Sequence, residues 1–150
     1  MKSVFNQADK TALLDRIHKL TPSTQPLWGK MNVSQMLAHC NVAYEMAFEN
    51  KYPKPGAFKK FLLKLFVKNV VVGDKPYKKG SPTAPQFRIT GNKDFDEEKQ
   101  RLIAHINKTQ ELGENYFGGK ESHSFGVLSA SEWDIMFYKH LDHHLKQFGV

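Results

Sequence analysis

Two histidines four residues apart, His140 and His144, sit inside the apolar pattern of the segment Ser129–Phe148. On a helix that spacing stacks both imidazoles on one face, about 6 Å apart along the axis at about 1.5 Å per residue. Two such rings can share one divalent ion. Zinc held by three protein ligands keeps a fourth position open, as catalytic zinc sites do, whereas structural zinc is normally closed by four. Zinc and nickel are the leading expectations, and iron, manganese and cobalt also suit imidazole. The open position takes water, lowering its pKa toward about 7, or a thiol, stabilising the nucleophilic thiolate.

The element that must position these rings is well marked. Ser129 followed three residues later by Glu132 reads as a capping box. Trp133, Met136, Phe137, Leu141, Leu145 and Phe148 then recur at helical spacing. At about 100° per residue with His140 at zero, the apolar residues spread from about −40° to 140° and His144 falls near 40°, so both rings face the core. His143 falls near −60°, on the flank, which favours His140 with His144 over His140 with His143. No H-E-x-x-H arrangement occurs, since Leu141, Asp142 and His143 lie between the two histidines. Asp142 lies about 200° from His140 and cannot serve the same ion. A metalloprotease is therefore disfavoured.

The rest of the chain reads as helix after helix. Leu13, Leu14 and Ile17 mark a short N-terminal helix from about Asp9 to Leu20, ended by Thr21-Pro22. After a turn-rich connection, Asn32 with Gln35 three residues on caps a second helix. It runs through Val33, Met36, Leu37, Cys40, Tyr44, Ala47 and Phe48 until Tyr52-Pro53-Lys54-Pro55-Gly56 stops it. A third helix over Ala57–Val72 sets Phe58, Phe61, Leu62, Leu65 and Phe66 against Lys59, Lys60, Lys64 and Lys68. From Gly73 to Gly91 there is no clear period, and a loop of that length is usually functional, mobile or both. Asp94, Asp96, Glu97 and Glu98 open a fourth helix, where negative charge complements the dipole. Gly113 ends it, and a connection through Gly118, Gly119 and Gly126, with no convincing hairpin, leads to the histidine helix.

At 150 residues and 40% hydrophobic content the chain suits one domain, 1–150, with a core that needs no structural staple. A single cysteine, Cys40, excludes an intramolecular disulfide and fits a reducing compartment. The N-terminus lacks the apolar core of about 7–15 residues that a signal peptide needs, and no stretch approaches the roughly 18 apolar residues of a membrane span. The expectation is a soluble cytoplasmic protein. Amphipathic helices joined by loops predict an all-α bundle, which builds its sites from facing helices.

The remaining ligand should then come from another helix, and the second offers His39 and Cys40 side by side. Cys40 lies in the middle of the apolar stripe and His39 at its edge, so periodicity prefers Cys40. A buried free cysteine, however, is more often a small core hydrophobe than a ligand. Pattern reading leaves the third ligand open.

The run Leu20-Thr21-Pro22-Ser23-Thr24-Gln25-Pro26-Leu27-Trp28-Gly29-Lys30-Met31-Asn32-Val33-Ser34-Gln35-Met36-Leu37-Ala38-His39-Cys40 resembles the opening of DinB/YfiT-like proteins, in a branch with no assigned activity. Phe125-Gly126-Val127-Leu128-Ser129, Glu132-Trp133 and the run Lys139 to Gly149 are similar to the same branch. The resemblance brackets residues 20–149. It implies a four-helix bundle, here with an additional short N-terminal helix and a long basic loop. One histidine late in a Trp-to-His segment joins the two of an H-x-x-x-H helix around a divalent ion, which carries over as His39, His140 and His144. The branch often has His-Pro before its Phe-Gly pair, whereas here His123 is followed by Ser124. Cys40, His123, Trp133, Met136 and His143 are pocket candidates. Met36, Met46 and Met136 read as gap-filling core residues rather than ligands, and His18, His105 and His143 as surface or helix-flank residues.

The better-understood members use their metal to activate a low-molecular-weight thiol for transfer or isomerisation. The resemblance therefore implies a metal-dependent enzyme acting on a small-molecule substrate, with a thiol favoured over water-driven hydrolysis. Two other classes compete: a non-catalytic, stress-associated metal-binding bundle, and a basic module that binds nucleic acid or anions. Lys51 to Gly80 holds nine lysines and one acid, Asp74, against a net charge of +7 for the whole chain. A solvated lysine face accounts for such a segment. With no arginine and no recognised motif in it, nucleic acid is disfavoured. An intermediate reading makes the loop after residue 73 a lid that draws an anionic substrate to the pocket. A homodimer is compatible with all of these readings.

Overall fold

The computed structural model describes residues 2–150. Among them are six α-helices, one short 3-10 turn and a two-stranded antiparallel ribbon. The chain is thus mostly helical. Helix α1 is Gln7–His18, α2 Val33–Phe48, α3 Ala57–Phe66, α4 Lys68–Val72, α5 Phe95–Phe117 and α6 Ala130–Gln147. Helix α2 packs against α5 and α6, and α1 closes the other side against the same two helices.

The caps form as their residue types require. Asn32 accepts from the Gln35 N–H at 2.8 Å while the Gln35 side chain accepts from the Asn32 N–H at 3.1 Å. Ser129 and Glu132 form the same reciprocal pair at the start of α6. Asp94 caps α5 through the N–H of Glu97. These fixed starts set the registers that bring His39, His140 and His144 to one level.

Aromatic side chains fill the centre. Tyr44 lies between Phe137 and His105, its ring nearly parallel to both, with centroids 4.7 and 5.4 Å away. Trp133, Phe137 and Phe117 continue the stack, and each is almost wholly buried. Burying one such side chain contributes about 2–3 kcal/mol.

A polar network crosses the α2–α5 contact. Asn41 donates to the Glu98 carboxylate at 2.8 Å and its carbonyl faces Nδ1 of His105 at 2.9 Å. Arg101 pairs with both Glu98 and Glu45, and Tyr52 donates to Glu45. Burial acts to raise the Glu45 carboxyl, but hydrogen bonds from Tyr52, Arg101 and Lys51 outweigh it and hold it below its usual range.

Four expectations need correction. The N-terminal helix is not an accessory: Leu13 and Ile17 are buried in the core, whereas α3 contributes no buried residue. The expected helix over 57–72 bends at Val67 (φ −111°, ψ −34°). Val67, Val70, Val71 and Val72 follow one another there, and β-branched side chains crowd the preceding turn. Gly113 (φ 66°, ψ −177°) interrupts the helix as expected, but the connection does not begin there, because helical structure resumes at once. The turn beyond continues to Phe117, whose ring packs on Phe5, Trp133 and Phe137. Finally, Glu121–Ser122 pairs with Gly126–Val127. Two-residue strands are too short to show a period in the sequence.

Candidate metal centre

His39 from α2 and His140 and His144 from α6 converge. Each offers one ring nitrogen, and the three atoms lie within 4.8 Å of one another. Nε2 of His39 and Nε2 of His140 are 3.0 Å apart. Two nitrogens on one tetrahedral zinc, at bonds of about 2.0–2.1 Å, would stand roughly 3.3 Å apart.

The other ring nitrogens of two of these residues are engaged in ways that fix the tautomer. Nδ1 of His39 donates to the carbonyl of Phe87 at 2.8 Å, which leaves Nε2 as the lone-pair atom. Nδ1 of His144 donates to Oε1 of Gln147 at 2.8 Å, and the Gln147 amide donates in turn to the carbonyl of Trp28 at 2.8 Å. That oriented amide presents only its oxygen to the ring. Such outer contacts are what a metal-ligating histidine ordinarily has.

Electrostatics keep the donor set neutral. Burial lowers the pKa of His39, only partly offset by its bond to Phe87. His140 is driven well below its usual value by burial and then by the neighbouring rings of His144, His39 and His143. His144 is pushed down to about 3 by burial and by His39. Three neutral imidazoles need not shed protons before binding a cation, once His140 carries its proton on Nδ1 and turns the Nε2 lone pair toward His39 and His144. The residues present therefore fit a divalent ion.

The cluster opens on a cavity of about 880 Å³. Its walls come from α2 (Ala43, Met46), from α3, α4 and the bend between them (Lys59, Leu63, Val67, Val70), from the long loop (Tyr77, Phe87, Arg88) and from α6 (Met136, His140). The loop is tied down rather than loose. Lys139 of α6 donates to the carbonyls of Val70, Gly73 and Lys75 at 2.7, 2.5 and 3.2 Å. Its ammonium also lies over the Tyr77 ring, and Tyr77 meets His143 edge-on. Lys68 pairs with Glu132 at 2.7 Å, joining α4 to the first turn of α6.

Of the remaining pocket candidates, His123, Trp133, Met136 and His143 line this cavity. His123 is held by the Pro53 carbonyl and the Ser124 hydroxyl, and the buried indole N–H of Trp133 has no acceptor among the described residues. Cys40 is corrected: it is buried beside Met36 Sδ in the core and does not line the cavity. Burial in apolar surroundings drives its thiol pKa up, so it is inert. His105, expected on a helix flank, belongs instead to the α2–α5 network. Gln147 and the carbonyls of Phe87 and Trp28 are not among the candidates that the sequence offers. Only Gln147 carries a sequence signal, its position three residues after His144.

These features define a mostly helical protein with a buried three-histidine cluster able to hold a divalent cation. The chain belongs to DUF1569, a family described as proteins of unknown function, whose sequence model matches residues 3–149. No curated protein and no solved structure matches it.

Proposed function

We propose that this protein is a divalent-metal-dependent enzyme of the DinB/YfiT-like type, with α1, α2, α5 and α6 as its four-helix bundle and a small thiol as the group activated. The observation that carries the reading is the convergence of three neutral imidazoles at the wall of a cavity large enough for a small molecule. When bound, zinc or nickel would supply Lewis acidity that favours ionisation of a thiol or a water. His39, His140 and His144 hold the ion, and Phe87 and Gln147 orient two of those rings. Apolar walls from Met46, Leu63, Val67 and Met136 exclude water around the reacting group.

The lining favours a thiol over water. It includes no aspartate or glutamate among the described residues, so imidazoles would have to activate water in place of a carboxylate, and of these His123 is bonded to Ser124 and Pro53 while burial lowers the basicity of His143. A thiol, with a pKa near 8.5 when free, needs less help. Lys30, Lys59, Lys78 and Arg88 on the same cavity suit an anionic substrate or thiol.

The test begins with elemental analysis of protein purified without a metal-affinity tag. Stoichiometric metal in the native chain, lost in His144→Ala, supports the centre, and thiol-transfer assays with and without chelator then separate an enzyme from an inert binder. Absence of metal together with failure to bind added zinc or nickel at micromolar concentration would sink the reading.

A further inference from the structure

Helix α3 faces the wrong way for a helix of a free-standing soluble protein. At about 100° per residue from Ala57, the side chains of Phe61, Leu65, Phe58, Leu62 and Phe66 fill one arc from about 40° to 180°, and Lys59, Lys60 and Lys64 fill the remainder from about 200° to 340°. A surface helix normally turns such an arc inward. Here it points to solvent: Phe58 is 76%, Phe61 61%, Leu65 57% and Phe66 69% exposed. The inward side is the other one, where Leu63 lines the cavity and Lys60 pairs with Glu121. Val70, 57% exposed, adds to the apolar surface just beyond the bend. Contiguous apolar patches of this size mark a contact surface.

The charge around the arc identifies what covers it. Lys51, Lys60 and Lys68 are paired with Glu45, Glu121 and Glu132. Lys59 and Lys64 on α3 itself, and Lys54 just before it, have no carboxylate partner among the described residues, and the only acid between Lys51 and Gly80 is Asp74. A second copy related by a two-fold axis would set this lysine row against itself. Duplex nucleic acid would satisfy the lysines but leave the phenylalanines without a role, because its outward surface is phosphate, and a single strand could stack on the phenylalanines but would leave Leu65 and Val70 unmatched. A bilayer with anionic headgroups satisfies both: phenylalanine and leucine enter the headgroup–acyl boundary while lysine stems extend their ammonium groups to the phosphates.

We infer that α3 is a membrane-surface docking helix that lays its Phe58–Phe61–Leu65–Phe66 face on an anionic bilayer, with the flanking lysines supplying the electrostatic attraction. No span is involved, and no helix among the described residues is long and apolar enough to cross a membrane. Lys59 and Leu63 of the same helix line the cavity, so docking sets the cavity beside the lipid surface. The inference stands on α3 alone and does not require the metal.

Sedimentation of the full chain with vesicles tests it. Binding is expected to equimolar phosphatidylglycerol–phosphatidylcholine vesicles, to weaken as salt rises, and to be slight on phosphatidylcholine alone. Phe58→Ser/Phe61→Ser/Leu65→Ser should lower the partition coefficient about ten-fold or more with the far-UV circular dichroism unchanged, since all three side chains are exposed. Lys59→Gln/Lys64→Gln should lower it and flatten its salt dependence. No binding to anionic vesicles, equal binding to neutral ones, or undiminished binding by the triple serine variant overturns the proposal. So does a wild-type dimer in sedimentation equilibrium that the triple variant dissociates, which would make the face a contact between copies.

Discussion

Gln147 holds His144 in one tautomer: its Oε1 stands 2.8 Å from Nδ1 of the ring, and its amide nitrogen is committed to the Trp28 carbonyl. Gln147→Leu keeps the volume but removes both bonds, so the ring can turn or present the wrong nitrogen. Affinity for zinc or nickel should fall about 10–100-fold, the range for loss of an outer partner of a metal-ligating histidine. Competition against a chromogenic chelator reads this directly. An unchanged affinity would remove Gln147 from any role at the centre.

The same interaction explains Gly29. Its φ of +84° lies in the left-handed region, and a Cβ built there would stand 2.6 Å from Nε2 of Gln147. Gly29→Ala should therefore destabilise the fold by about 1–2 kcal/mol from the backbone alone. Because the methyl also displaces the Gln147 amide, metal affinity should fall in parallel with that of Gln147→Leu. Urea denaturation and the chelator competition together check both effects, and loss of stability with full metal affinity would show that the Gln147 amide can move without disturbing His144.

The parts of this site legible in the sequence are those that obey a single period. The sequence places His140 and His144 on one inward face because α6 has a clear apolar stripe and a capping box that fixes its start. Helix α2 has no such contrast. It is buried almost all round, from Val33, Met36 and Leu37 through His39, Cys40, Asn41 and Val42 to Ala47. A wheel drawn on it ranks Cys40 above His39, although the first is packed against Met36 and only the second faces the cluster. The Phe87 and Trp28 partners were invisible for another reason: they act through backbone carbonyls, which every residue type carries. The inversion of α3 was hidden too. Its amphipathic pattern is plain, but amphipathicity does not say which side faces the protein.

Metal-free protein should lose stability on acidification in a window that belongs to its histidines. His105 is lowered from its usual value of about 6.5 by burial and then by Arg101, and it donates to Asn41 from its neutral form. A folded pKa below the unfolded one means that the unfolded chain takes up the proton first. The contribution of His105 is therefore complete above about pH 6.5 and is lost as pH falls below it toward the lower folded value. Glu45, Glu132 and Asp142 are held below their usual values and lose their contributions only in a more acidic range. Urea titrations in chelator between pH 7 and pH 5 should show falling stability, with a smaller slope in His105→Gln. His39, His140 and His144 are lowered as well and keep the variant's slope above zero. An identical slope in the variant would contradict this account.

Lys139 should govern the loop over the cavity. It stands one residue before His140, and three carbonyls, of Val70, Gly73 and Lys75, converge on its ammonium. Two of them lie at the C-terminal end of α4, where a cation also complements the helix dipole. Burial lowers its pKa, with Asp74 acting the other way, and the ammonium ties three carbonyls together at once. Lys139→Met retains the stem and removes the donor. Global stability should drop by about 1–2 kcal/mol, while proteolysis between residues 73 and 91 accelerates more than that drop predicts, because local opening of the loop no longer breaks the bonds to Gly73 and Lys75. Phe87 is carried by the same loop, so the bond that orients His39 should weaken and metal affinity should fall. Limited proteolysis with mapping of the first cuts, run beside chelator competition, measures both consequences. First cuts outside 73–91, or a metal affinity equal to that of the native chain, would show that the loop is held by its other contacts, such as Tyr77 on His143.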